Sequence, residues 1–299
     1  MVKYTVAVCN YNMADTVGTM LRSVLDQIDE RFEVVVVDGG STDGSRDVLQ
    51  ELSEEYSQLR IDLQDPDPNR HLGADRNRSF ELAEGNYVLE SFDCDNQYYE
   101  IVQDLVQIYH RLESGIESKF LLSAMGVNMA PRDLVKRIPY RNLGGAEDRD
   151  WFRRMSAQDA MLFLERTGPI KDQIGYDKSL KSEIERDLNG KICDFRTGIT
   201  LQSALQWSLH HERHFILERD RGLILNNLKK PYDFVSHLYA YWKARSRERY
   251  PAPDGFEKKG ALEKTIAKNR KTLREMEEEY GITVDGDDLS ETGRRAFYQ

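Results

Sequence analysis

Apolar positions in the first hundred residues alternate between two periods. Val6-Ala7-Val8 is a short apolar run that reads as a strand, and after it Val17, Met20, Leu21, Val24, Leu25 and Ile28 recur at helical spacing. Positions 32–37 hold four consecutive valines, a β-branched run suited to a strand buried on both faces. It stops at Asp38-Gly39-Gly40-Ser41-Thr42-Asp43-Gly44-Ser45. Val48, Leu49, Leu52 and Tyr56 mark a second amphipathic helix, and positions 59–63 alternate as a third strand. Asp65-Pro66-Asp67-Pro68 breaks the pattern. A helix over 74–83 is then closed by Gly85, and Tyr87-Val88-Leu89 opens a further strand. Strand and helix alternating in this rhythm predict an α/β fold: a mostly parallel, Rossmann-like sheet flanked by helices.

Beyond residue 100 the signals thin. Positions 101–112 read as a helix and 120–122 as a strand, Pro131 opens a short helix, and Gly144-Gly145 leads into another helix behind Trp151. From about Ser179 strand signals fade and charged helical patterns dominate, including a surface helix over 261–280. The expected organisation is one α/β unit with halves at 1–100 and 101–215, followed by a helical extension over 216–299.

Composition narrows the class. With 39% hydrophobic and 31% charged residues and no apolar run long enough to cross a bilayer, the 299 residues read as an ordinary globular chain. Met1-Val2-Lys3 runs straight into the first strand without a signal-peptide pattern, so the expected location is the cytoplasm. Cys9, Cys94 and Cys193 are scattered, which implies neither a disulfide framework nor a zinc site. A net charge of −10 argues against a nucleic-acid partner.

Candidate chemistry is acidic. Asp93 and Asp95 flank Cys94 just beyond an apolar strand, where open α/β sheets place ligands. Two carboxylates so spaced are hard oxygen donors, suited to Mg2+ or Mn2+ bridging a diphosphate. Alone the triplet is weak, because Asp is common in turns. Its neighbours decide.

Four separated segments resemble family-2 glycosyltransferases of the GT-A fold. Cys9-Asn10-Tyr11-Asn12 with Leu21-Arg22-Ser23-Val24-Leu25-Asp26-Gln27 is similar to that family's opening strand and helix. The stretch from Asp38 to Ser45 resembles its loop that receives the nucleotide base, with Gly39 where many relatives carry a second aspartate. Gly73-Ala74-Asp75-Arg76-Asn77 and Ala83-Glu84-Gly85-Asn86-Tyr87 resemble the helix before the metal strand, and Phe92-Asp93-Cys94-Asp95 falls where the family has its D-x-D. The resemblance implies a nucleotide-sugar site over 1–100 drawing on Cys9, Asn10, Tyr11, Asp38, Gly40, Arg76, Asp93, Cys94 and Asp95. In it Asp38 meets the base, Arg76 the nucleotide region and Asp93 the ribose or metal, while Asp95 holds the metal. It implies an acceptor site over 101–215, where Glu147-Asp148 resembles the family's acidic pair.

Transfer to a hydroxyl needs a group that takes its proton, and Asp148 is assigned that role, with Glu147 orienting it or the acceptor. The competing reading is that Glu147, Asp148 and Asp150 simply favour a helix N-terminus. The implied activity is metal-dependent, inverting transfer of a sugar from a nucleoside-diphosphate donor, UDP first and GDP next, to a hydroxyl-bearing acceptor such as a glycan or a lipid-linked sugar. The alternative is a catalytically silent nucleotide-sugar or carbohydrate-binding partner of the same fold. A sugar nucleotidyltransferase needs G-x-G-x-R-L after the first strand, where Asn10-Tyr11-Asn12-Met13 stands; G-x-G-x-x-G and P-loop patterns are missing too.

Two features stay open. His210, His211 and His214 cluster beside Glu212; they read as a polar helix face, with His214 a reserve metal ligand. Positions 221–250 carry seven Lys or Arg against two acids, among Tyr232, Phe234, Tyr239, Tyr241 and Trp242. That composition suits an amphipathic helix packed on the catalytic domain, or peripheral contact with the inner membrane face.

Overall fold

The computed structural model describes residues 2–124, 126–165, 168–175, 179–210, 222–286 and 288–298. Strand and helix alternate at first, as β1 (Tyr4–Asn10), α1 (Ala14–Leu25), β2 (Phe32–Asp38), α2 (Ser45–Glu55), β3 (Leu59–Leu63), α3 (Leu72–Leu82) and β4 (Tyr87–Glu90). The middle of the chain supplies β5 (Asn96–Tyr98), α4 (Val102–Gly115), β6 (Leu121–Ser123), β7 (Asn128–Pro131), α5 (Arg132–Arg137), α6 (Glu147–Ser156), β8 (Met161–Leu164) and β9 (Ile170–Gln173). Helices then prevail: α7 (Leu180–Arg196), α8 (Leu201–His210), α9 (Gly222–Ala244) and α10 (Ala261–Asn269), with β10 (Arg270–Lys271), α11 (Leu273–Tyr280) and α12 (Glu291–Phe297) after them.

Among the described residues, eight strands form the main sheet in the order β10-β8-β6-β7-β4-β1-β2-β3, and β5 pairs with β9 in a separate ribbon. β7 runs antiparallel to both its neighbours, β4 and β6, whereas the other pairings in the main sheet are parallel. The register sets Asn10 abreast of Asp38 and Val6 abreast of Leu89, so the carboxyl ends of β1, β2 and β4 open on one edge.

Both faces of the sheet are covered, which is why Val34 to Val37 are all buried. Val6, Val8, Val34 and Val36 pack toward α1, α2 and α4, while Ala7 and Val88 pack against Phe80 of α3, Leu134 of α5 and Trp151 of α6. A third cluster joins Ile192 and Phe195 of α7 to Ala204 of α8 and Ala240 and Ala244 of α9.

The helices expected beyond 216 are present, but the last of them are not an outlying appendage. Leu273, Met276, Leu289 and Phe297 belong to the same apolar cluster as β1 and β2, and β10 forms an edge of the main sheet. Two polar residues, Arg270 and Lys271, carry no strand signal, which is why periodicity reads only helix there. α9 packs on α7 through Ala240 and Ala244, yet leaves Val235, Leu238, Tyr239 and Trp242 exposed on another face. His211, Glu212 and His214 lie outside the described residues, so the reserve metal ligand has no assigned place.

Candidate active site

A cavity of about 820 Å³ opens at the carboxyl edge of β1, β2 and β4. Cys9 and Asn10 enter its wall from the end of β1, Tyr11 and Gly39 from just past β1 and β2, and Asp93, Cys94 and Asp95 from the segment after β4. The loop before α3, the residues Asp75 and Arg76 on α3, and Gly144, Gly145 and Glu147 at the start of α6 close the other sides. Strand ends leave such a crevice because each chain turns away there to enter a helix.

At one end stands the acidic triplet. Ser91, just past β4, has φ 68, a left-handed backbone that swings the chain out of the sheet. The Asp93 amide then donates to the Tyr98 hydroxyl at 2.7 Å, and the Asp95 carbonyl accepts from the amides of Ile174 and Gly175. Cys94 is buried between them and donates its thiol to the Cys9 carbonyl at 3.3 Å. Burial pushes that thiol well above its ordinary range, so Cys94 anchors the turn. Asp93 is 56% exposed in its side chain, and Asp95 is half-buried. Partial withdrawal from water pushes the Asp93 carboxyl up to about 6 against the pull of Arg76, with Asp95, Glu90 and Asp148 adding to the rise.

Arg76 ties this end to the opposite wall. Its guanidinium is buried, 2.7 Å from Glu90, 3.6 Å from Asp93 and 3.8 Å from Glu147, and lies over the Tyr140 ring at 5.3 Å. Glu90 also accepts from the Tyr140 hydroxyl at 3.1 Å, from Ser91 at 3.0 Å and from Asn128. Glu147 follows Ala146, whose φ of 52 is again left-handed, and burial raises its carboxyl despite Arg76. Asp148, next in the helix, is half-buried beside the wall and forms no ion pair among the described residues.

Asp38 and Gly40 stand behind the wall. The Asp38 carboxylate is fully buried and accepts from Asn10 at 2.8 Å, from the Ser41 hydroxyl at 2.6 Å, from the amides of Gly40 and Ser41 and from Arg46 at 3.0 Å. Burial alone would raise it; those donors outweigh burial and hold it below the ordinary carboxylate range. Asp38 therefore shapes the loop instead of facing the cavity. Gly40 has φ +97, and a Cβ there would fall 2.7 Å from the Pro66 backbone, so the glycine lets two loops touch.

Three charged residues of the wall and its support receive no role from periodicity or motif reading: Glu90, Arg70 and Asp75, the last inside the Gly73-Ala74-Asp75-Arg76-Asn77 segment. Glu90 alone had a usable signal, a carboxylate closing an otherwise apolar strand.

Residues 5–119 match the model of glycosyl transferase family 2. The chain is similar to the cholesterol galactosyltransferase of Borreliella burgdorferi, at 26% identity over 144 residues, covering 47% of this chain and 38% of that protein. It is also similar to the amylovoran biosynthesis glycosyltransferase AmsB of Erwinia amylovora, at 26% identity over 147 residues, covering 49% of this chain and 48% of that one. Less than half the length of either relative is therefore matched. The solved structure of S. aureus TarS 1–349 in complex with UDP superimposes with TM-score 0.50 at 15% identity, over 82% of this chain and 90% of that one, a likeness of fold. Residues 5–119 thus resemble glycosyl transferase family 2, and the mostly parallel, helix-flanked sheet is that of the GT-A fold.

Proposed function

We propose that this chain is a metal-dependent glycosyltransferase that moves a sugar from a nucleoside-diphosphate donor to a hydroxyl acceptor with inversion. The carrying observation is that Asp93 and Glu147, from two remote segments, face one cavity and share a single buried cation, Arg76. UDP is the first donor nucleotide to test and GDP the second.

Asp95 and Asp93 would hold Mn2+ or Mg2+. They fit a hard cation in part: both are cavity-facing carboxylates, and the crowding of Asp95, Glu90 and Asp148 around Asp93 is negative charge that a cation relieves. Among the described residues no group of three His, Cys, Asp or Glu is placed to hold a metal, so phosphate oxygens and water would complete the shell. When bound, the ion neutralises charge on the departing diphosphate.

The remaining work falls to side chains of this chain. Tyr11, exposed at the cavity wall, offers a face to the base, and Asn10 and Cys9 shape the floor through the loop that Asp38 clamps. Asp148 takes the acceptor proton as the hydroxyl oxygen bonds the anomeric carbon and the bond to the diphosphate oxygen breaks. Its half-buried carboxylate, without an ion pair among the described residues, favours that role over Glu147, which Arg76 holds. A peripheral seat on an anionic membrane is part of the proposal: exposed Tyr239 and Trp242 lie just before Lys243, Arg245, Arg247 and Arg249. Among the described residues no helix is long and apolar enough to cross a membrane.

The test is release of nucleoside diphosphate from a panel of UDP- and GDP-sugars, with manganese and candidate acceptors. Turnover that requires the ion supports the enzyme. Calorimetric binding without turnover across the panel would instead support a silent binding partner.

A further inference from the structure

A second pocket, of about 570 Å³, lies between α8, the loop before α10 and the first turn of α10. Among the described residues it shares no lining residue with the cavity at the sheet edge. Its wall carries Trp207, Lys258, Lys259, Lys264, Ser203 and Gln206, and among the described residues none of the lining is acidic. The fold fixes its shape. The Thr200 amide donates to the Glu257 carbonyl at 3.0 Å and the Lys259 amide to the Ser203 hydroxyl at 3.0 Å, which holds the loop on α8. Gly260 has φ +85, and a Cβ there would overlap the Trp207 ring, so the half-buried indole rests on bare backbone.

The charge in this region is one-sided. Lys259 is buried and pairs with Asp194, whereas Lys258 and Lys264 are exposed and form no ion pair among the described residues. A smaller cleft beside the pocket adds Arg149 and Arg153 of α6. The two linings together hold five cations, Arg149, Arg153, Lys258, Lys259 and Lys264, against two acids, Asp194 and Glu263, in a chain of net charge −10. Positive charge gathered in a concavity focuses its field on an anion. An aromatic wall adds an apolar face beside those charges, and a lysine ammonium follows an anionic group without fixed geometry.

We propose that this pocket is a carbohydrate-binding site for an acidic glycan, with Trp207 stacking on a sugar ring and Lys258 and Lys264 pairing with its anionic groups. A nucleic-acid strand needs successive stacking platforms, whereas Trp207 is the one aromatic side chain among the described residues of the lining.

Calorimetry at low salt with trigalacturonate and with its uncharged methyl ester tests it, on the unaltered chain and on the double variant Lys258→Gln, Lys264→Gln. Both lysines are exposed, so the double variant keeps the fold. Trigalacturonate should bind the unaltered chain about three- to thirtyfold more tightly than the ester, the range for two exposed ion pairs, and added salt should narrow the gap. The double variant should bring the two ligands to within about twofold, while UDP with manganese binds as before. Trp207→Leu should weaken both ligands, because the ring face is lost. Equal binding of acid and ester, undiminished affinity in either variant, or tighter binding of a single-stranded oligonucleotide overturns the assignment while the donor site stands. A matching loss of UDP affinity in the double variant would place the lysines in the donor site and overturn it too. UDP that binds neither chain removes the donor-site reading and leaves this one standing.

Discussion

Arg76 Nε lies 3.8 Å from Glu147 Oε1, while Nη1 of the same guanidinium is 2.7 Å from Glu90. One buried cation therefore links β4, the acidic turn after it and the start of α6. Replacing it with glutamine leaves Glu90 buried and uncompensated, so Arg76→Gln should lose about 3–5 kcal/mol of stability in urea titration. Sugar transfer should fall by on the order of a hundredfold, since the two edges of the cavity are no longer held together.

Asp148→Asn should reduce turnover by about 10²–10⁴-fold while leaving nucleotide affinity unchanged, because it removes a proton acceptor from a group outside the donor wall. Glu147→Gln, changing a residue that touches Arg76, should alter affinity as well. Transfer at a near-normal rate in Asp148→Asn, measured by diphosphate release, would remove that residue from the mechanism.

Burial at the start of α3 makes Asp75 titrate near 6 in the folded chain, against near 4 when unfolded. Between those values the folded state binds the extra proton, so stability falls as pH rises from about 4 to about 6, by at most about 1.4 kcal/mol per unit from this group. Chemical denaturation across that window should show a shallower decline in Asp75→Asn than in the unaltered chain. Identical slopes would mean that Asp75 ionises normally.

Asp194 on α7 is buried against Arg153 at 2.7 Å, Arg149 at 3.5 Å and Lys259. Burial opposes its charge, but Arg149, Lys259 and Arg153 hold the carboxyl far below the ordinary range. Its contribution to stability is present above the unfolded value near 4 and is lost as pH falls below it. Asp194→Ala strands three cations against one another and should cost about 3–5 kcal/mol. Thermal unfolding measures it, and a drop in melting temperature under a degree would contradict the network's importance.

Flotation with anionic vesicles at low salt tests the α9 stripe. Vesicle binding should be lost in Trp242→Ser combined with Tyr239→Ser and should weaken with added salt. An unaltered chain that never floats would leave the stripe without a lipid role.

Legibility of the sequence followed from where signals are local. The elements β1 to β4 and α1 to α4 were readable because a buried parallel strand needs a β-branched run and a covering helix needs a 3.6-residue stripe, and both are local patterns. β7 was not: Asn128-Met129-Ala130-Pro131 has no strand composition and exists because β4 and β6 supply partners on either side. In the site, Asp93, Asp95 and Glu147 were named from motif context and line one cavity. Asp38 was named by the same route, but its carboxylate turns inward, since spacing along a chain says nothing about which way a side chain points. Asp75 needed three dimensions, because its carboxylate fills the room beside Gly39, thirty-six positions earlier.

The outer strand β10 and the helices α11 and α12 matter for the order in which the molecule is made. Leu273, Met276 and Phe297 complete the apolar cluster begun by β1, and Ser290 donates to Asp104 of α4 from its amide at 2.8 Å and its hydroxyl at 2.7 Å. A ribosome adding about 5–20 residues per second therefore holds the first core open for roughly ten to thirty-five seconds after β6 has emerged. During that interval the faces of α4 and β6 are exposed apolar surface, the kind that chaperones bind. Shortening the chain before residue 270 would make that interval permanent.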